Sequence, residues 1–453
     1  MTRTIAAIST PPARSAVGII RVSGKDAFAC VNKVFVPAFA APAPRRMTRG
    51  TLLDAGGRAI DDCLCVLFPG PDSYTGEDCA EIHCHGSPVV LSLALDALFA
   101  CGARQALPGE FTKRAFLNGK LDLSQAEAVA DLIDSPTPSA ARNAAGQLGG
   151  ALRRKLEGAR DAVLGVVSHF QAEVDYPDEG VDPFDAVQAC GVLEKAAREL
   201  ERLQSSFSRG RMLRDGILCA LIGRPNVGKS SVLNVLAGYD RAIVSPVAGT
   251  TRDSIQETVT VGDCVIRLTD TAGIRPGADE IERMGVERSM KAADSAAIVL
   301  AVFDGSQPLS EGDAGVIETA LKAPGSIAVI NKSDLPRRID ADRLAAAFGR
   351  VFFVSALTEE GFGELEDAVS SLAAGFGFDG EAGELITNQR QAEAAGRACV
   401  SLRSCARAIR DGVTPDAALC DAEAALECIG ELTGDSVRDD IIEGIFSRFC
   451  VGK

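Results

Sequence analysis

A glycine-bearing loop, GRPNVGKSS at residues 223–231, restricts this chain more than any other feature. It fits the pattern G-x-x-x-x-G-K-[ST]. The apolar run before it, Ile217–Ile222, has the length of a buried strand, and residues 230–237 have the composition of a helix. Strand, loop and helix N-terminus together aim backbone N–H groups and the positive end of a helix dipole at a phosphate chain. The fold that supplies this arrangement is an α/β layer structure with a mostly parallel sheet. Gly223 and Gly228 allow the backbone to close around phosphates, Lys229 reaches the β- and γ-phosphates, and the Ser230 hydroxyl ligates Mg²⁺. Asn226, Val227, Gly228, Lys229, Ser230 and Ser231 are therefore candidate nucleotide contacts.

Three further motifs follow in the order such a domain requires. DTAG at 270–273 ends a second apolar run, 264–268. There the Asp270 carboxylate can hold Mg²⁺ through water, and the Gly273 N–H can meet the γ-phosphate, with Thr271 and Ala272 between them. NKSD at 331–334 follows the run 327–330, and the Asp334 carboxylate can accept two hydrogen bonds from guanine N–H groups, with Asn331 and Lys332 beside it. Adenine lacks that donor pair, so the expected base is guanine. Ser355 and Ala356, after the run 351–354, are placed to offer backbone donors to the guanine carbonyl oxygen.

A chain of 453 residues exceeds one ordinary core. At 46% hydrophobic and 24% charged residues it has a globular composition. The longest apolar run, 296–303, is far short of a bilayer span, so no membrane segment is expected. Pro11, Pro12 and Arg14 interrupt any signal-peptide core, which points to the cytoplasm. The fourteen cysteines are scattered without a C-x-x-C pair and read as reduced, mostly buried thiols. His83 and His85 share a strand face, but no second ligand pair of zinc spacing lies near them. A net charge of −15 argues against nucleic-acid binding over the whole surface. Basic clusters at Lys113-Arg114, Arg153-Arg154-Lys155 and Arg209-Gly-Arg211 read as solvated helix faces.

The organisation follows from changes in pattern. Residues 1–119 mix short apolar runs (5–8, 17–22, 63–68) with Pro and Gly loops and one helical stretch, 89–100, and read as a small α+β domain. Residues 120–215 turn to helical spacing, broken by an acidic turn at 175–178. Residues 216–375 alternate β and α, with a Gly262-Asp263 hairpin supplying one antiparallel pair. After a glycine-rich stretch, helical composition fills residues 376–453. The expected fold is a phosphate-loop nucleotide domain inserted into a helical domain whose two halves meet, preceded by the α+β domain.

Catalysis needs a group to orient water, and the residue after the DTAG motif is Ile274, which has no polar atom for the task. Acidic residues further on, Glu280 and Glu282, could do so, and a solvated loop is the plain alternative. The Asn226 side chain lies where a monovalent cation could neutralise transition-state charge in place of an arginine finger. The segment 242–253 supplies a first switch loop, with Thr251 as an Mg²⁺ ligand and carbonyls near Ser245 and Val247 capping the cation. Potassium-stimulated hydrolysis is the expectation.

The strings GRPNVGKSS, SPVAGTTRD, DTAGIRPGADEIERMG and the closing FCVGK resemble the MnmE (TrmE) family of bacterial tRNA modification GTPases. So do TIAAISTPP, SYTGEDCAEIHCHGSP and PGEFTKRAFLNGKLDLSQAEAVADLID, which lie outside the nucleotide domain. The resemblance implies a homodimer working on tRNA with a FAD-dependent partner, MnmG, to build an aminomethyl or carboxymethylaminomethyl group at carbon 5 of the wobble uridine. It implies a 5-formyl-tetrahydrofolate site with Arg21, Glu81, Lys120 and Lys453. It assigns hydrolytic water to Glu282, potassium to Asn226, Ser245, Val247 and Thr250, and Mg²⁺ to Ser230 and Thr251. Nucleotide contacts carried over in the first switch are Ser245, Pro246, Val247, Ala248, Gly249, Thr250 and Thr251. Cys450 beside the folate takes a part in modification under the same resemblance. A cysteine flanking the apolar stripe Ile441, Ile442, Ile445, Phe446 and Phe449 has plain packing as its alternative. Val451 stands where isoleucine is frequent in the family.

A ribosome-assembly or RNA-chaperone GTPase shares the nucleotide motifs. Such proteins add an RNA-binding module or a second GTPase domain, and neither is recognisable in this sequence.

Overall fold

A computed structural model describes residues 3–11, 13–176, 182–239, 256–261, 264–270, 293–376, 383–437, 439–447 and 449–453. The chain divides into two compact units: Met1–Ala130 with Leu148–Ala196 and Val400–Lys453, and Asp131–Gln147 with Ala197–Cys399.

The first unit is built on a seven-stranded sheet: β1 (Ile5–Ile8), β2 (Ser15–Ser23), β3 (Phe35–Pro37), β4 (Thr48–Leu53), β5 (Ala59–Phe68), β6 (Cys79–Gly86) and β7 (Arg104–Gln105). Its order is β3-β4-β5-β6-β2-β1-β7. Side chains alternate faces along each strand. Ile20, Val22, Cys63, Cys65, Ile82 and Cys84 are buried with Val31 of helix α1 (Ala27–Val34) and Leu91 of α2 (Pro88–Ala100) in one core. The opposite face carries Arg21, Glu81 and His83, with Ile19 across from His83 on one side and Leu64 on the other. Helix α3 (Glu110–Leu117) follows Gly109, whose φ of 64° favours glycine.

The sequence pattern anticipated one helix in this region; the structure has three. Helices α1 and α3 span eight residues each, too short for a periodic signal to stand out, and tertiary packing holds them. Arg114 corrects a second expectation. It is not a solvated face residue: its side chain is 5% exposed and bonds to Glu77 at 2.7 Å and Glu110 at 2.9 Å. A buried guanidinium needs such partners to offset lost hydration.

Helices α4 (Leu123–Ile133), α5 (Pro138–Leu148), α6 (Ala151–Asp175) and α7 (Ala186–Asp215) precede the second sheet, and α12 (Gln389–Arg410), α13 (Pro415–Thr433) and α14 (Asp439–Phe446) follow it. In the expected apolar stripe, Ile442, Phe446 and Phe449 are buried with Leu123 and Ala126 of α4. Ile441 departs from it and is exposed, because one turn of helix cannot turn both Ile441 and Ile442 to the same core.

The second unit holds a six-stranded sheet of β8 (Ile217–Ile222), β9 (Gln256–Val261), β10 (Cys264–Asp270), β11 (Ile298–Asp304), β12 (Gly325–Asn331) and β13 (Val351–Phe353), in the order β13-β12-β11-β8-β10-β9. Every pair is parallel except β9 with β10. Its central strands are apolar on both faces, as a covered parallel sheet demands. One face packs on residues of α8 (Lys229–Tyr239) and α11 (Phe362–Ala374), the other on those of α9 (Glu311–Ala320) and α10 (Ala341–Phe348).

Polar side chains hold the chain where it leaves this layer structure. The Asn143 amide accepts from the Gly383 and Leu385 N–H groups at 3.2 and 3.3 Å and donates to the Leu385 carbonyl at 3.2 Å. Ser206 accepts from the Ile386 N–H at 3.1 Å. Asp131 takes Arg214 Nε at 3.2 Å on one oxygen and the Thr387 hydroxyl at 2.7 Å on the other.

Candidate functional site

The phosphate loop lies between the end of β8 and the start of α8. A Cβ at Gly223 would meet the Val302 carbonyl at 2.4 Å, and one at Gly228, where φ is 95°, would meet Asn331 Nδ2 at 2.2 Å. Only glycine lets this loop close. Asn226 adopts a φ of 63°. Lys229 is buried, and its ammonium donates to the Gly223 and Arg224 carbonyls at 3.0 and 2.8 Å. Ser230 and Ser231 occupy the first turn of α8 and are exposed.

Asn331, at the end of β12, joins the phosphate loop to the base-reading loops. Its Nδ2 donates to the Val227 carbonyl at 2.9 Å, and its Oδ1 accepts the Ala356 N–H at 3.1 Å. Lys332 reaches the Asn226 carbonyl at 3.1 Å and Asp304 at 2.6 Å. Burial drives the Asp304 carboxyl upward, but Lys332 and Ser306 outweigh it and hold it below the usual carboxylate range. The Ser355 hydroxyl donates to Asp334 at 2.6 Å, which aims the exposed carboxylate. Of the two backbone donors anticipated for a guanine oxygen, the Ser355 N–H goes to the Glu360 carbonyl at 3.0 Å and the Ala356 N–H to Asn331.

Asp270 closes β10, next to β8. Ser245, Pro246, Val247, Ala248, Gly249, Thr250, Thr251, Thr271, Ala272, Gly273 and Glu282, the positions expected to form the switch loops and to orient water, lie outside the described residues. The chemistry of Ser230 at the mouth of a phosphate loop fits an Mg²⁺ ion.

A second cluster lies in the first unit. Arg21 on β2 pairs with Glu81 on β6 at 2.9 Å, in register with it, and its guanidinium lies 5.2 Å from the Tyr74 ring centroid and 5.7 Å from that of Phe111. Tyr74 shares a 2.8 Å hydrogen bond with Thr112, and Glu81 also faces His83 at 3.3 Å. Lys453 joins through its backbone: the Phe111 N–H donates to its carbonyl at 3.2 Å, and the Gly109 N–H donates to the Cys450 carbonyl at 3.3 Å. Gly452 passes so close to β1 that a Cβ would meet the Ile8 carbonyl at 2.2 Å. Burial and then the Arg21 guanidinium push the Lys453 ammonium below the usual lysine range, with Glu81 and Cys450 opposing them. Two cations facing one carboxylate leave a positive excess suited to an anionic ligand.

Arg21, Glu81 and Lys453 thus converge. Lys120 is exposed beside the loop carrying Tyr74, with its Cγ 3.4 Å from where a Cβ on Gly76 would stand. Cys450 is exposed, so it is not packed into the apolar stripe beside it. Sequence reasoning missed Tyr74 and Phe111, and weighed His83 only as a metal ligand. No local spacing marks them, although the aromatic in SYTGED and the histidine two after Glu81 were visible.

A mostly parallel sheet covered on both faces, a phosphate loop at the end of its central strand and a carboxylate-bearing NKSD loop beside it define a P-loop GTPase. The MnmE helical domain family matches residues 123–450, a span that contains the whole six-stranded sheet, and the GTP-binding protein TrmE N-terminus family matches residues 4–120. A tRNA modification GTPase MnmE of Roseiflexus sp. (strain RS-1) is 43% identical over 99% of both chains. That of Roseiflexus castenholzii is 41% identical over 99% of both, and that of Lactobacillus helveticus 39% over 99% of this chain and 98% of its own. Among solved structures, the G domain of the T. maritima FeoB iron transporter covers 35% of this chain at 26% identity, with a TM-score of 0.27. The chain belongs to the MnmE family.

Proposed function

We propose that this chain hydrolyses GTP in the service of tRNA modification, adding an aminomethyl or carboxymethylaminomethyl group to carbon 5 of wobble uridines together with a FAD-dependent partner. The observation that carries the reading is Asn331, which ties the phosphate loop to the base-reading loops within a chain related to MnmE from end to end.

In this reading Lys229 exchanges the Gly223 and Arg224 carbonyls for β- and γ-phosphate oxygens, and Asp334 accepts two guanine N–H groups. Ser230 and Thr251 would hold Mg²⁺, which would supply charge neutralisation at the phosphates. Asn226 with Ser245, Val247 and Thr250 would hold potassium, and Glu282 would orient water. Hydrolysis then runs faster in potassium than in sodium; equal rates would remove the cation from the proposal.

The positive cluster of Arg21 and Lys453 beside Glu81 supports a tetrahydrofolate site: the cations suit a glutamate tail, and the carboxylate suits a pterin ring. Lys120 would reach the same ligand from the Tyr74 loop, and Cys450 would present its thiol beside it. Val17 and Leu64, exposed on the sheet face opposite α1 and α2, support a homodimer through this domain.

The deciding experiment is nucleoside analysis by mass spectrometry of tRNA from a strain lacking the gene. Loss of the carbon-5 aminomethyl nucleosides, restored by the intact gene but not by a Glu282→Ala copy, is expected. An unchanged profile would overturn the proposal.

A further inference from the structure

Two residues without the freedom of glycine hold left-handed backbone in the nucleotide site. Asn226 in the phosphate loop and Lys332 in the NKSD loop each adopt a φ of 63°, two of four non-glycine residues with positive φ among the described residues. Backbone of this kind costs free energy and persists where its surroundings hold it. Here the two residues are tied together, because the Lys332 ammonium donates to the Asn226 carbonyl at 3.1 Å. The same ammonium donates to Asp304 Oδ2 at 2.6 Å, and the two side chains are 33% and 16% exposed. Asp304 is fixed on its other oxygen by the Ser306 N–H at 2.9 Å and the Ser306 hydroxyl at 2.6 Å. It closes β11 directly across from Asn331 on β12. Asp334, the carboxylate of the NKSD loop itself, is taken by the Ser355 hydroxyl, so Asp304 is the carboxylate that Lys332 meets.

We propose that Asp304, which lies in none of the sequence motifs, is a positioning residue of the nucleotide site. Acting through Lys332, it braces the phosphate loop at Asn226 against the base-reading loop and so fixes the spacing at which phosphates and guanine are held. This rests on the guanine-nucleotide reading of the site and on no part of the tRNA or folate readings. Without the carboxylate, the ammonium keeps one neutral acceptor and regains rotamer freedom, and the two left-handed residues lose their common support.

The test is the GDP affinity of the full chain, measured by calorimetry in a double-mutant cycle. Asp304→Asn keeps the size of the side chain and removes its charge, whereas Lys332→Met keeps the apolar stem and removes the ammonium. Each alone is expected to weaken GDP binding by about fivefold to tenfold. A residue that acts through Lys332 has nothing left to lose once the ammonium is gone, so the double variant should bind within about twofold of Lys332→Met. Ser306→Ala loosens Asp304 without removing its charge and should weaken binding by about threefold, again with no further loss in the Lys332→Met background. It decides the matter if Asp304→Asn does not fold. Losses that multiply in either double variant overturn the proposal, as does natural affinity in Asp304→Asn or in Ser306→Ala. No GDP binding by the natural protein would instead sink the nucleotide reading itself.

Discussion

The two candidate sites are built by opposite means. The nucleotide site is made of backbone: loop N–H groups and carbonyls at strand ends, with glycines chosen because any side chain would collide. The cluster around Arg21 is made of side chains gathered from β2, β6, the Tyr74 loop, the start of α3 and the Cys450–Lys453 segment. A backbone site leaves a short, ordered signature, because consecutive residues must adopt a fixed path. A side-chain site leaves isolated letters whose meaning appears only when the sheet brings them together.

Four experiments can break or sharpen this contrast. Gly228→Ala should reduce GDP affinity by about 100-fold or more, since the new Cβ strikes Asn331 and φ is unfavourable. Its folate binding should be untouched; loss of both would mean the sites are not separate. Arg114→Ala removes one buried partner each from Glu110 and Glu77 and should destabilise the first unit by about 3 kcal/mol in chemical denaturation, with nucleotide affinity unchanged. Asn331→Ala removes two hydrogen bonds and should weaken GDP binding by about tenfold to thirtyfold in a fluorescence titration. The smallest effect is expected from Tyr74→Phe, which keeps the ring over Arg21 but loses the Thr112 bond, costing about 1 kcal/mol of first-unit stability.

Acid bears on the first unit through Glu110. Burial raises the Glu110 carboxyl, but Arg104, the Leu107 N–H and Arg114 more than reverse this, so it titrates below its ordinary value of 4.5. A depressed carboxylate contributes stability above its unfolded value that is lost as pH falls through the folded one. Acid unfolding monitored across that window should therefore begin earlier in Arg104→Ala than in the natural chain.

Most of the nucleotide domain was legible. The strand at Ile217–Ile222 falls where the pattern put it, and the lone antiparallel pair is β9 with β10. Parallel strands covered on both faces are apolar throughout and bounded by loops, so composition marks them. The first domain was less legible. Its eight-residue helices follow contacts with the sheet, and Arg114 sits inside an ion network that joins residues far apart in the chain. The Arg21–Glu81 pair depended on resemblance, because nothing in either neighbourhood tells that β2 and β6 run side by side.

Asp131 bonds on one oxygen to Arg214, just before the chain enters the nucleotide domain, and on the other to Thr387, just after it leaves. Arg214 and the Thr387 carbonyl also approach to 3.5 Å. Entry and exit are therefore neighbours, and a bridge of about three residues could span them. A segment whose two ends share one carboxylate meets the geometric requirement for excision or exchange, because its removal leaves only a small gap to close.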